Sequence, residues 1–162
     1  MGRALIIGCG GVAGVAIHKC CQNSAVFEEI MIASRTKAKC DALKEKLDGK
    51  TDTKITTAQV NADNKDEVVA LIKSYQPDLV MNIALPYQDL TIMEACLACK
   101  VNYMDTANLK ILTILRGARF TKNAVRRKDF RHILTIHGSG HIGRSLRRPA
   151  SRRCLALVLI RV

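Results

Sequence analysis

Arg3-Ala4-Leu5-Ile6-Ile7-Gly8-Cys9-Gly10-Gly11-Val12-Ala13-Gly14 is the stretch that decides the fold of this chain. Its first half, Arg3 to Gly8, is short, aliphatic and closed by glycine, which suits a strand buried on both faces of a parallel sheet. From Val12 to about Gln22 the apolar residues Val12, Val15, Ala16 and Cys20 recur at helical spacing. Between the two, Gly8 to Gly14 fits the pattern GxGxxG/A. Gly8 permits the tight turn. Gly10 lets the backbone approach a pyrophosphate with no Cβ in the way, and Ala13 or Gly14 allows close helix–strand packing. Gly11, Val12 and Ala13 then carry the free N–H groups of a helix N-terminus toward the anion. A glycine cluster alone is weak evidence, but its flanks here are a strand and a helix, so a dinucleotide site is expected over a purely structural turn.

Working outward, Glu29 to Ala33 reads as a second buried strand. Lys37 to Leu47 is an amphipathic helix with Ala38, Leu43 and Leu47 inward, and Ile55 to Val60 a third strand. Asn64 with Glu67 makes a capping-box-like start to a helix through Val68, Val69, Leu71 and Ile72. Pro77-Asp78 breaks it. Leu79 to Leu85 is a fourth strand, Pro86 to Lys100 holds a fourth helix, and Val101 to Asp105 a short fifth strand. This alternation predicts an α/β, doubly wound parallel sheet of Rossmann type, with strand order 3-2-1-4-5.

The end of the second strand chooses the cofactor. NAD-binding domains place Asp or Glu about 20 residues past the glycines to take the ribose 2′-OH. Here the strand ends Ala33-Ser34-Arg35-Thr36, followed by Lys37 and Lys39. A carboxylate would repel a 2′-phosphate, whereas Arg35 can hold it bidentately and stack on the adenine. Ser34 and Thr36 add hydroxyl donors. NADP(H) is therefore expected; a solvated basic helix start covers Lys37 and Lys39 well but explains the missing acid poorly. Asp63, after the third strand, can take the adenine amino group or serve as a turn residue. Ile83, Ala84 and Leu85 at the end of the fourth strand bring backbone past the nicotinamide-side ribose. Asp105 ends the fifth strand, at the carboxyl edge where ligands bind.

Charge divides the chain. Of its 26 Lys+Arg and 14 Asp+Glu, residues 109–162 hold 14 basic residues and one acid, Asp129. Arg3 and Arg35 are the only arginines before Asn108, and eleven follow it. The seven cysteines lack zinc-ribbon spacing, and Cys96 and Cys99 share a face of an apolar helix. They read as small core-filling thiols, with no metal site. No apolar run approaches the roughly 18 residues of a membrane span. Met1 to Gly8 has no signal-peptide h-region, and Ile6 stands where a myristoylation pattern wants Ser or Thr. A cytoplasmic protein is expected.

The GCGGVAG loop (8–14), the ASRT strand end (33–36), NIALPYQDLTIMEACLA (82–98) and VNYMDTAN (101–108) together resemble the saccharopine dehydrogenase family, and within it the carboxynorspermidine dehydrogenase (synthase) branch. The resemblance covers residues 1–108. It implies an NADPH-dependent reductive condensation of an amine with an aldehyde in polyamine biosynthesis, acting on small molecules in a homodimer. It also implies that the general acid and substrate-carboxylate clamps lie in a longer domain after the fifth strand, so no catalytic residue is assigned.

Residues 109–162 offer other motifs. Gly138-Ser139-Gly140-His141-Ile142-Gly143 is a second GxGxxG, after the apolar run Ile133 to Ile136, but too little chain follows it for a working half-domain. His137 and His141 have HxxxH spacing, spoiled by the glycines between them. The arginine clusters 126–128, 147–148 and 152–153 suit nucleic-acid phosphates, although few aromatics interleave them. That leaves a rival reading in which the chain is a dinucleotide-sensing or nucleic-acid-binding protein without catalysis. A simpler account is a shifted reading frame. Codons for Leu109 onward can be chosen so that skipping two nucleotides reads EDTDDP, one open residue, then WRAIYEKRCKEKGF, an acidic and aromatic continuation. The expectation is thus a domain at 1–108 and a basic tail at 109–162, irregular or disordered and not a domain, on a truncated and inactive enzyme.

Overall fold

The computed structural model describes residues 2–105 and the strand 133–135. The second glycine motif, His137, His141 and the arginine clusters lie outside the described residues. The elements run β1 Gly2–Ile7, α1 Gly11–Cys21, β2 Phe27–Ser34, α2 Lys37–Leu47, β3 Lys54–Gln59, α3 Lys65–Tyr75 and β4 Leu79–Asn82. A 3-10 turn at Pro86–Gln88, α4 Asp89–Cys99, β5 Asn102–Asp105 and β6 Ile133–Thr135 complete them. All pairings are parallel, in the order β3-β2-β1-β4-β5-β6. The expected 3-2-1-4-5 arrangement is present. Residues 133–135, expected to be irregular tail, instead pair with β5, Tyr103 opposite Ile133 and Asp105 opposite Thr135. A bare β5 edge offers unpaired backbone groups, and an Ile-Leu-Thr segment suits a strand there.

Strand β1 shows how the sheet divides two cores. Ala4 and Ile6 face α1 and α2, with Ile17, Cys20, Ile30, Ile32 and Cys40. Leu5 and Ile7 face α3 and α4, with Val68, Ile72, Val80, Ile92 and Tyr103. Side chains alternate along a strand, so a continuous aliphatic run is what a sheet covered on both faces requires.

Four local expectations change. Helix α1 turns Ala13, Ala16, Ile17 and Cys20 inward, leaving Val12 70% and Val15 55% exposed. Small Ala13 lets the helix start lie close against the sheet. In α2 the buried residues are Cys40 and Leu47, while Ala38 is exposed. Asn64 caps α3 by accepting from the Asp66 N–H (3.1 Å). Glu67 reaches the Asn61 N–H (2.9 Å) and the Asn64 amide (3.0 Å), so the reciprocal box does not form. Strand β4 ends at Asn82, because the Asn82 side chain takes the Ala84 N–H (3.0 Å) and bends the chain away. No helix among the described residues is long and apolar enough to cross a membrane.

Candidate functional site

The carboxyl ends of β1, β2 and β4 meet at the loop after β1. Gly8 has φ +123°, and a Cβ there would stand 2.5 Å from the Ile83 carbonyl oxygen. Glycine is demanded twice, by conformation and by the close approach of β4's end. Backbone bonds lock the junction: Gly8 N–H donates to Ala33 C=O and Ile83 N–H to Ile7 C=O, each at 2.9 Å. At Gly10 and Gly11 the space a Cβ would occupy is open.

Gly10 caps α1 in extended conformation with no side-chain bond, and the first turn has no acidic residue. The Gly14 N–H to Gly10 C=O bond (2.9 Å) is the first of the helix, so the N–H groups of Gly11, Val12 and Ala13 precede the helical ladder and remain to be satisfied from outside. Both conditions suit an anion. Val12 offers this helix start only its backbone N–H, its side chain standing in solvent.

Across a pocket of about 360 Å³, Cys9, Gly10 and Gly11 face Lys39, Leu43 and Lys46 of α2. Helix α2 also begins without a side-chain cap or a first-turn acid. The turn before it is organised by one hydroxyl. Ser34 Oγ donates to the Thr36 carbonyl (3.0 Å), accepts from the Thr36 N–H (3.2 Å) and touches the thiols of Cys9 (3.1 Å) and Cys40 (3.2 Å). Strand β3 holds the same turn, through Val60 N–H to Ser34 C=O (3.0 Å) and the Gln59 amide to Arg35 C=O (3.2 Å). Arg35 is exposed at the apex, and among the described residues no carboxylate pairs with it. The two lysines after it differ. Lys37 is spent on Asp41 (3.0 Å), whose carboxyl the Thr57 hydroxyl and then Lys37 hold below the usual range, whereas Lys39 lines the pocket.

Asp63 lies exposed beyond β3, its N–H donating to Asn61 Oδ1 (3.2 Å) in a side-chain turn. At β4, Ile83 and Ala84 are half-buried and Leu85 is 47% exposed. Beneath them is a polar cluster that sequence reasoning missed. The Asn82 amide nitrogen donates to Asp89 Oδ1 (2.6 Å) and to the Tyr103 hydroxyl (3.1 Å), while its oxygen holds the Ala84 N–H. Asn82, Asp89 and Asp105 are all buried, and Asp105 is the register partner of Asn82. Burial, and then the charge of Asp105, push the Asp89 carboxyl up to about 7 against the lowering by Asn82. Its Oδ2 has no hydrogen-bond partner. Burial, then Asp105, likewise raise the Tyr103 hydroxyl. Only the isolation of Asp89 in an apolar segment hinted at this in the sequence.

These residues fit a dinucleotide. The Gly10–Gly11 cradle is open, α1 begins uncapped, Arg35 has no carboxylate partner among the described residues, and the backbone after β4 is pinned beside Gly8.

The family described as saccharopine dehydrogenase NADP binding domain matches residues 4–132, past the Asn108 boundary expected from composition. Carboxynorspermidine synthase of Vibrio alginolyticus is 47% identical over 108 residues, covering 64% of this chain and 26% of that protein. Carboxyaminopropylagmatine dehydrogenase of Synechocystis sp. is 43% identical over 108 residues, covering 67% of this chain and 26% of that protein. The chain therefore spans about a quarter of the length of the curated relatives it matches. Among solved structures, apo saccharopine dehydrogenase (L-Glu forming) from Saccharomyces cerevisiae shares the fold, with TM-score 0.59 and 14% identity over 85% of this chain and 27% of that one. The chain belongs to the saccharopine dehydrogenase NADP-binding domain family, and its cofactor is NADP(H).

Proposed function

We propose that this chain is the cofactor-binding part of an oxidoreductase that reduces the imine formed between an amine and an aldehyde. The observation that carries the reading is the 43–47% identity, over 108 residues of the N-terminal part, to proteins named carboxynorspermidine synthase and carboxyaminopropylagmatine dehydrogenase. NADPH, when bound, supplies the hydride for such a reduction. The chain's own residues bind and orient it: the N–H groups of Gly11, Val12 and Ala13 hold the pyrophosphate and Arg35 the 2′-phosphate. Asp63 faces the adenine amino group, and Ile83, Ala84, Leu85 and Asp105 border the nicotinamide half. The parent enzyme is then a cytoplasmic homodimer acting on small molecules.

The same reading makes residues 109–162 an out-of-frame translation of the parent's continuation; the jump to 14 basic residues against one acid supports it, and the family match through residue 132 stands against it. This chain would bind NADP(H) without turning over. Two measurements test it together: the nucleotide sequence across codon 108 with the intact mass of the expressed protein, and NADPH oxidation with amine and aldehyde present. An intact frame, or turnover by the 162-residue chain, sinks the out-of-frame reading. Salt-sensitive nucleic-acid binding lost on deleting 109–162 would give the tail a function of its own.

A further inference from the structure

Cys9 and Cys40 meet at one hydroxyl. Cys9 is half-buried and lines the pocket between the glycine loop and α2. Cys40 lies fully buried in the first turns of α2. Their sulfurs stand 3.1 and 3.2 Å from Ser34 Oγ, so their separation cannot exceed the sum of those distances. We propose that Cys9 and Cys40 are an oxidisable dithiol, closed by an anionic small-molecule disulfide such as oxidised glutathione, and that closure dismantles the turn presenting Arg35.

Accessibility orders the steps. The Cys9 thiolate attacks the small disulfide, forming a Cys9–glutathione bond and releasing one glutathione thiolate. Cys40 then loses its proton to solvent and attacks the Cys9 sulfur, forming Cys9–Cys40 and releasing the second glutathione thiolate. Two protein thiols are oxidised by two electrons, and one disulfide is reduced to two thiols. Lys39 and Lys46 on the pocket wall favour an anionic disulfide. Burial pushes the Cys40 thiol up, against the lowering by Ser34 and with the further raising by Cys9. It therefore suits the second attack, which proximity drives, better than the first.

A disulfide brings its sulfurs to about 2 Å and takes away both thiol hydrogens, so Ser34 Oγ loses the bond that the Cys9 thiol donates to it. Drawing the two sulfurs that flank Ser34 Oγ onto each other strains its bonds to the N–H and the carbonyl of Thr36. Arg35 then loses its fixed presentation, and the loop is drawn onto α2 across the cofactor pocket. This consequence rests on the assignment of Arg35 to the 2′-phosphate; the dithiol itself does not.

The test uses the full 162-residue chain, reduced, then treated with oxidised glutathione, then re-reduced with dithiothreitol. Intact mass should show the loss of two hydrogens, and non-reducing peptide mapping a Cys9–Cys40 link. NADPH affinity should fall about tenfold or more on oxidation and return on reduction. In Cys40→Ala the reaction should stop at a glutathione adduct on Cys9. In Cys9→Ser, compared with itself before and after oxidant, NADPH affinity should not change. Linkage through Cys20–Cys21, Cys96–Cys99 or Cys154 overturns the proposal, as does linked protein that binds NADPH as tightly as the reduced form. If the reduced chain fails to bind NADPH, the cofactor assignment falls, while the peptide map still decides the dithiol.

Discussion

Gly8 and Asp89 are the residues on which the nucleotide-binding edge turns. At Gly8, φ +123° and the 2.5 Å approach of the Ile83 carbonyl exclude any side chain. Gly8→Ala should therefore cost about 3 kcal/mol or more, read as a lowered urea midpoint; an unchanged midpoint would contradict the geometry. Asp89 makes a pH prediction. Its folded carboxyl titrates near 7, against an ordinary 3.8. The stability of keeping it protonated is full below about pH 4 and is lost as pH rises toward 7. Asp89→Asn removes that slope, gaining on the wild type by on the order of 2 kcal/mol between those limits. Parallel pH–stability curves for the two proteins would refute the assignment. The role of Gly8 was legible in the sequence because the glycine pattern encodes a backbone demand. That of Asp89 was not, because it depends on Asn82 of β4 and Tyr103 and Asp105 of β5 meeting it at the start of α4.

Among the elements, strands were easier to read than helix faces. Aliphatic runs such as Ala4 to Ile7 allow one interpretation when both faces are covered. Helix α1 is apolar nearly all round, so spacing alone could not choose between the Val12–Val15 face and the Ala13–Ala16–Ile17–Cys20 face that packs. Strand β4 read too long because its ending depends on a side-chain bond from Asn82, not on composition. The helix ends carry a prediction of their own. Lys100 closes α4 with φ 56°, as Gln76 closes α3 with φ 53°, in a region that disfavours side chains. Lys100→Gly should stabilise the protein by about 0.5–1 kcal/mol, the relief of that conformation less the added freedom of the unfolded chain. Thermal melts at one pH would show it, and a lowered midpoint would count against it.

For the whole molecule, the sheet order followed from the strand–helix cadence and the handedness of crossovers, so most of the fold was present in the pattern. β6 was not, because Ile133-Leu134-Thr135 sits in a segment whose composition argues against any selected structure. Of the candidate site, the glycine loop and the basic strand end at Arg35 were legible in the sequence. Its second layer, where Ser34 ties Cys9, Cys40 and Thr36 together, needed the folded turn. The central claim is that this edge binds a phosphorylated dinucleotide, and a fluorescence titration of the full chain with NADPH and NADH tests it most directly. NADPH should bind much more tightly, and Arg35→Ala should weaken NADPH by about 1.5–3 kcal/mol while weakening NADH far less. Equal affinity for the two cofactors, or an Arg35→Ala chain that still prefers NADPH as strongly, would contradict it.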